Sequence, residues 1–215
     1  MSLIYDWLFI AVWMAFAAYW LISARWVKKT KQAEPRRQML IRLALSVAGT
    51  WLLFAPGLHL GPLNWRLLPQ NKITFFTGAG VLLAGLGFAV WARIHLGQYW
   101  SGMITLKEGH RLIRTGPYAV VRHPIYTGII TGIAGTAVAV GELRGLVAVL
   151  MYTAIYFCKS RREERLLTPE FGEEYPAYRR AVGALAPASG PARTMFWLAA
   201  ATVAVLLVIG SRAER

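Results

Sequence analysis

Acidic side chains are scarce in this chain. Its 215 residues hold 10 Asp and Glu against 24 Lys and Arg, a formal net charge of +14. There is one cysteine, Cys158, so no intrachain disulfide can form, and a thiol closing an apolar run is expected to be a small packing residue. The histidines are His59, His95, His110 and His123, and no pair has the H-E-x-x-H spacing of a zinc site. Neither a Walker loop nor a G-x-G-x-x-G turn occurs, so the common glycine-rich phosphate cradles are missing. Repeated strand-like alternation is absent too, which argues against a membrane barrel.

What the chain has in excess is apolar sequence. It is 56% hydrophobic, with a mean hydropathy of +0.44. The apolar residues fall in blocks at 4–24, 39–60, 73–92, 125–140, 145–158 and 194–210. A block of roughly 20 apolar residues spans a bilayer. Within lipid, a span that is not a barrel must be helical, because only then is the backbone satisfied. The predicted fold is therefore all-α: a polytopic integral membrane protein of about six transmembrane helices. The first block lacks a basic leader and carries Asp6 near its start, so it is expected to be a retained helix rather than a cleaved signal. Arg42 lies near the edge of the second block, where its stem can snorkel to the headgroups.

The fourth and fifth blocks are short and joined by "GELR", residues 141–144, which predicts a helical hairpin. Gly128 and Gly132 form a small-xxx-small pair that would let another helix approach closely. Basic residues alternate between the loops. Seven lie in 25–42, five in 93–124 and seven in 159–193, against two in 60–72, one at the hairpin tip and two after 210. The positive-inside rule then puts the three basic segments in the cytoplasm and the N-terminus outside. Charge placed between apolar blocks reports topology and contact with anionic lipid rather than nucleic acid.

Two cytoplasmic segments flank the hairpin and must converge at its mouth. The first ends in "GPYAVVRHPIYTG", residues 116–128. Pro124 suits the first turn of a helix, so His123 should lie just outside it in extended geometry. The first-turn amides behind His123 favour an anionic group. The second segment carries Lys159, Arg161, Arg162, Glu163 and Glu164, then "FGEEYPAY" with Phe171, Tyr175 and Tyr178. Neighbouring helical residues differ by about 100°, so one of the two glutamates is expected to face a pocket. Trp100 is a further candidate for its lining.

Together, "GPYAVVRHPIYTG" and the later "EERLLTPEFGEEYPAYRRAV" resemble the isoprenylcysteine carboxyl methyltransferase family, whose relatives include integral-membrane phospholipid methyltransferases. The resemblance covers roughly residues 93–185. It implies S-adenosylmethionine as cofactor, bound in a pocket on the cytoplasmic side. It implies cofactor contacts from His110, Arg111, Leu112, Ile113, Tyr118, His123, Pro124, Ile125, Tyr126 and Glu163, with Glu164 adjacent. The family's substrate-side arginine falls on Lys159, which keeps the charge and lacks the bidentate fork. Arg122 or Arg162 are the other cations able to hold an acceptor. Glu163, Arg122 and Lys159 are thus the catalytic candidates, and no metal is implied.

The function expected is O-methylation of the carboxylate of a lipid-like, isoprenylcysteine-type acceptor in the cell membrane. One alternative is N-methylation of a phospholipid headgroup, which would need a base from Glu163, Glu164 or His123. Another is a membrane lipid or sterol reductase using NADPH, whose phosphates would call for more basic residues and fewer glutamates. The expected partners are the bilayer and the acceptor. The predicted organisation is 1–92 for the first three helices, 93–193 for the catalytic core, and 194–215 for an added C-terminal helix. The seventeen apolar residues of 194–210 would cover about 25 Å as a helix.

Overall fold

Small residues decide how the two central helices meet. In the computed structural model, α3 (Lys72–Leu96) and α4 (Pro124–Val140) run antiparallel in close contact. Gly78 faces Ala139, Gly85 faces Gly132, and Gly128 faces Ala89. A methyl group on Gly85 would lie 2.5 Å from the backbone nitrogen of Gly132, and one on Gly128 would lie 2.5 Å from the carbonyl oxygen of Gly85. Larger residues would therefore hold the two backbones apart. In a lipid surround, where apolar burial gives little drive, such close approach is a main source of helix association. The sequence pair Gly128 and Gly132 is part of this contact.

The structure describes residues 3–25, 30–33, 35–54, 60–97, 100, 105–107, 112–194, 200 and 203–204. Besides α3 and α4 these form α1 (Leu3–Ser23), α2 (Arg36–Phe54), α5 (Leu143–Phe171) and α6 (Glu174–Ala181). The 194–210 segment, expected to be a sixth span, lies almost wholly outside the described residues. Helix α3 starts cleanly because Asn71 caps it, its side chain accepting from the Thr74 amide at 2.9 Å. α1 leans on this pair through Phe9 against Phe75, with ring centroids 5.5 Å apart, and through Trp13 Nε1, which donates to Thr136 Oγ1 at 3.0 Å. α2 packs antiparallel to α5. There Tyr152 donates its hydroxyl to the Ser46 carbonyl at 2.8 Å and accepts from Thr50 at 2.6 Å.

The α4–α5 hairpin turns at Gly141, whose φ of +68° suits a residue without Cβ. Its carbonyl accepts from the amides of Leu67 and Leu68, tying the loop before α3 to the turn. Glu142 holds this pole together: Arg144 Nε donates to it at 2.7 Å and Asn64 at 3.2 Å. Arg144 also reaches the Leu52 carbonyl at the end of α2, 2.9 Å away.

α3 and α5 are each long and apolar enough to cross a membrane, and α1 and α4 contain shorter apolar helical stretches. Much of the outer surface is apolar, with Trp7, Met14, Leu21, Leu40, Leu83 and Leu150 exposed. As expected, the helix of the fifth block continues into the polar stretch, and α5 runs unbroken to Phe171, 29 residues in all. One feature departs from the sequence expectation: the helical fold carries a small antiparallel ribbon, β1 (Thr30–Ala33) with β2 (Thr105–Lys107). Strands of four and three residues are too short to show a readable alternation.

The ends of the helices sort into two poles. Gly141, Glu142 and Arg66 mark one. At the other, Arg93 of α3 donates to the Ser23 carbonyl at the end of α1 at 2.6 Å, and the α4 start meets the polar half of α5.

Candidate active site

The site is built where α4 begins and α5 leaves the apolar bundle. Proline at the first position of α4 leaves His123 as the residue just outside, as the sequence implied. Its backbone has φ −122° and ψ 61°, short of the extended value expected before proline. The reason is tertiary. The amides of Arg122 and His123 donate to the carbonyls of Gly183 and Ala184 at 2.8 and 3.0 Å, and Val121 pairs with Gly183 as a parallel bridge. The chain after α6 therefore fixes the entry to α4. Thr127 adds a bond from its hydroxyl to the Leu185 carbonyl at 2.8 Å.

With the backbone held, the His123 ring points into α5 and meets both glutamates. Its Nε2 lies 3.2 Å from Glu164 Oε1, and its Nδ1 lies 3.5 Å from Glu163 Oε2. Only one glutamate was expected to face inward. Both do, because the imidazole sits between the two side chains and each carboxylate reaches one of its ring nitrogens from its own side. Burial alone would push the imidazole down, but the bonds to Glu163 and Glu164 outweigh it and hold His123 above its ordinary value. The ring thus sits between two carboxylates that favour its protonated form.

Glu164 is buried, at 3% exposure. Its Oε1 accepts from Arg122 Nε at 3.0 Å and Nη2 at 2.7 Å. Arg122 Nη1 donates to the carbonyls of Arg179 and Val182, closing α6 onto the site. Arg122 was a catalytic candidate from the sequence; here its donors are engaged with Glu164 and these carbonyls. Glu164 Oε2 is buried with no hydrogen-bond partner among the described residues, with Arg179 Nε 3.5 Å away. The other carboxylate, Glu163, accepts from the Tyr126 hydroxyl.

Aromatic rings extend the cluster. His123 and Tyr126 are stacked at 3° with centroids 5.4 Å apart, and Tyr126 stacks on Tyr156 at 4.9 Å. Lys159 Nζ sits 4.9 Å from the Tyr126 ring centroid. Pro124, Ile125 and Tyr126 are buried in the same wall. Tyr118 and Trp100 belong to one apolar cluster with Ile125 and Tyr126, against which Ile113 packs. The Tyr118 carbonyl accepts from Tyr178 at 2.5 Å, and burial pushes the Tyr118 hydroxyl up. Leu112 is half-buried. His110 and Arg111 lie outside the described residues.

The structure therefore brings together His123, Tyr126, Glu163, Glu164, Arg122 and Lys159, with Tyr118 and Ile113 behind them. Arg162 is exposed on the α2 side of α5. Tyr156 was missed by the sequence reading. Its signal was there: Tyr152, Tyr156, Lys159 and Glu163 recur at spacings of four, three and four, one face of a helix. Tyr178 was assigned a loose covering role and instead makes a buried bond.

A helical bundle of apolar helices with a histidine–carboxylate–tyrosine junction at one pole is the class that fold and site define. Residues 78–169 match the model of the isoprenylcysteine carboxyl methyltransferase (ICMT) family. The match begins inside α3 and ends inside α5, so it contains His123, Tyr126, Lys159 and both glutamates. Similar curated proteins include a protein-S-isoprenylcysteine O-methyltransferase of Schizosaccharomyces pombe, 32% identical over 132 residues, 56% of this chain and 55% of that protein. The cobalt-zinc-cadmium resistance protein CzcN of Cupriavidus metallidurans is 31% identical over 117 residues, 52% of each chain. A protein-S-isoprenylcysteine O-methyltransferase of Rattus norvegicus is 27% identical over 147 residues, 66% of this chain and 50% of that protein. The chain spans about half the length of the curated relatives it matches.

Proposed function

We propose that this chain is a membrane methyltransferase that uses S-adenosylmethionine to methylate the carboxylate of a lipid-like acceptor. The observation that carries the reading is the junction of His123 with Glu163, Glu164 and the Tyr126–Tyr156 stack, inside the region that matches the family.

The residues present fit that cofactor. It carries a sulfonium, an amino group, a carboxylate and ribose hydroxyls. The stacked Tyr126 and Tyr156 supply an aromatic wall beside the carboxylates. Glu163 can accept from an amino group or a hydroxyl. Glu164 Oε2, buried without a hydrogen-bond donor, is a second acceptor on the same wall. Tyr118, Ile113 and Trp100 supply apolar cover, and the start of α4 suits a carboxylate. When bound, the cofactor supplies an electrophilic methyl group. The phosphates of NADPH would instead face the pair of glutamates.

The work left to the protein is positioning and exclusion of water. Methyl transfer needs nucleophile, methyl and sulfur in line, so orientation can supply much of the rate. An ionised carboxylate acceptor needs no base. An amine acceptor must lose a proton, and His123, with both ring nitrogens facing Glu163 and Glu164, is poorly placed to take it. Lys159, facing the Tyr126 ring, is the cation nearest to hand for an anionic acceptor.

The reading includes a multi-pass chain in the cell membrane, with six spans, the site on the cytoplasmic side and the N-terminus outside. Its support is the sorting of charge: Arg36, Arg93, Arg122, Arg161 and Arg179 gather at the site pole, and Arg66 and Arg144 at the hairpin pole. The test is calorimetry in detergent with S-adenosylhomocysteine and NADPH, followed by incubation of membranes with methyl-labelled cofactor. Binding of S-adenosylhomocysteine and label in a base-labile lipid ester are expected. Binding of NADPH alone would overturn the reading.

A further inference from the structure

An arginine in the last turn of an apolar helix can reach out to water, or it can turn in and donate to the carbonyls that helix ends leave open. Arg93, in the last turn of α3, turns in and is 4% exposed. Its Nη1 donates to the Gly97 carbonyl at 2.8 Å and its Nη2 to the Ser23 carbonyl at 2.6 Å. One guanidinium thus closes the ends of both α3 and α1. The face of the same guanidinium lies over the Trp100 ring, 4.5 Å from its centroid. The Trp100 amide donates to the same Gly97 carbonyl at 3.4 Å, so the backbone and the ring of this residue are both tied to Arg93.

α1 completes the hold. Trp20 meets Trp100 edge-on, with ring centroids 5.5 Å apart at 88°. Trp100 is buried, and it packs in one cluster with Ala92, Tyr118, Ile125 and Tyr126, the apolar wall of the candidate site. Trp20 and Ser23 both lie outside the 78–169 region that matches the family. The charge alone does not explain this arrangement. A lysine would keep it, but lacks the fork that spans two carbonyls and the planar face that stacks on an indole.

We infer that Arg93 is a positioning residue of the cofactor pocket: it fixes the Trp100 ring as part of the wall and so makes α1 a member of the site. This rests on the function proposed above. Arg93 acts through Trp100 and touches no reacting atom. The rival account is that Arg93 only fastens α1 to α3. Phe9 separates the two, because it joins the same helices by packing on Phe75 and lies in a different cluster from Trp100.

The full chain in dodecyl maltoside is labelled with fluorotryptophan, and the fluorine signal missing from Trp100→Phe identifies Trp100. Affinity for S-adenosylhomocysteine is read by calorimetry, and unfolding temperature is read on the same samples. Arg93→Lys should weaken binding about tenfold, the scale of a cation–π contact made out of water, and should shift the Trp100 signal. Trp20→Leu should weaken binding about threefold, the scale of one aromatic pair, and shift the same signal. Phe9→Leu should lower the unfolding temperature and leave both the affinity and the Trp100 signal unchanged. Where Arg93→Lys does not fold, Trp20→Leu decides. A folded Arg93→Lys that binds like the wild type overturns the inference. So does a loss of affinity with an unmoved Trp100 signal, or an equal loss of affinity in Phe9→Leu. If the wild type itself does not bind S-adenosylhomocysteine, the methyl-transfer reading falls and takes this role of Arg93 with it; if the wild type binds and the variants bind equally, the role of Arg93 falls alone.

Discussion

Arg122 and Glu164, on either side of the hairpin, share one oxygen: both Nε and Nη2 of the arginine donate to Glu164 Oε1, at 3.0 and 2.7 Å. Arg122 is at 7% side-chain exposure and Glu164 at 3%, so this is a buried pair. The same arginine donates to the carbonyls of Arg179 and Val182, which binds α6 to the start of α4. Removing one member of a buried pair strands the other charge and costs about 3–5 kcal/mol. Arg122→Ala should therefore lower the unfolding temperature in detergent sharply. Arg122→Lys should fall between, since it keeps charge and loses the fork. An Arg122→Ala protein as stable as wild type would remove the clamp from the account.

The two adjacent glutamates should separate by variant. Glu164→Gln is expected to lose stability first, because Arg122, His123 and Arg179 all converge on it. Glu163→Gln should keep the fold and lose turnover by about ten- to hundredfold, the scale of one hydrogen bond to a charged group. Unfolding curves and labelled-methyl assays on both variants make the comparison. The opposite ranking would exchange the two roles.

His123 gives a pH dependence of known sign. Its native value is raised above the ordinary 6.5, mainly by bonds to Glu163 and Glu164 that outweigh its burial. A raised native value means the folded state binds the proton more tightly than the unfolded chain does. Its stabilisation is complete below the unfolded value and is lost as pH rises through the raised native one. Unfolding temperature should thus fall from pH 6 upwards in the wild type more steeply than in His123→Gln. Parallel curves would mean that the imidazole is not coupled to the carboxylates.

The glycine contact between α3 and α4 predicts a sharp contrast. Gly128→Val would drive a branched side chain into the backbone of Gly85 and Ala89, and overpacking costs about 1–3 kcal/mol or more. Gly80 has open space around its Cβ position, so Gly80→Ala should be neutral or stabilising by about 0.5–1 kcal/mol. Folded yield by gel filtration in detergent reads both. A well-folded Gly128→Val would show that the helices have freedom to separate there.

Much of this molecule was legible before any coordinates. Block length, proline at position 124 and the run 141–144 determined where helices start and turn, because those effects act within a few residues. Spacing along α5 already put Glu163 one turn after Lys159, on the face where Tyr156 went unread. The position of His123 outside α4 followed from Pro124 alone. What the sequence did not determine is which side chains answer one another. That both glutamates reach His123, that Arg122 is engaged in holding α6, and that Arg42 lies near Lys159 all depend on segments 40 to 117 residues apart. The ribbon of β1 and β2 joins two distant loops in the same way. Such pairings rest on the antiparallel register of α3 with α4 and of α2 with α5. Between α3 and α4 that register follows from which small residues let backbones approach, and between α2 and α5 from how Tyr152 meets Ser46 and Thr50, each a property of two surfaces together and of neither sequence segment alone.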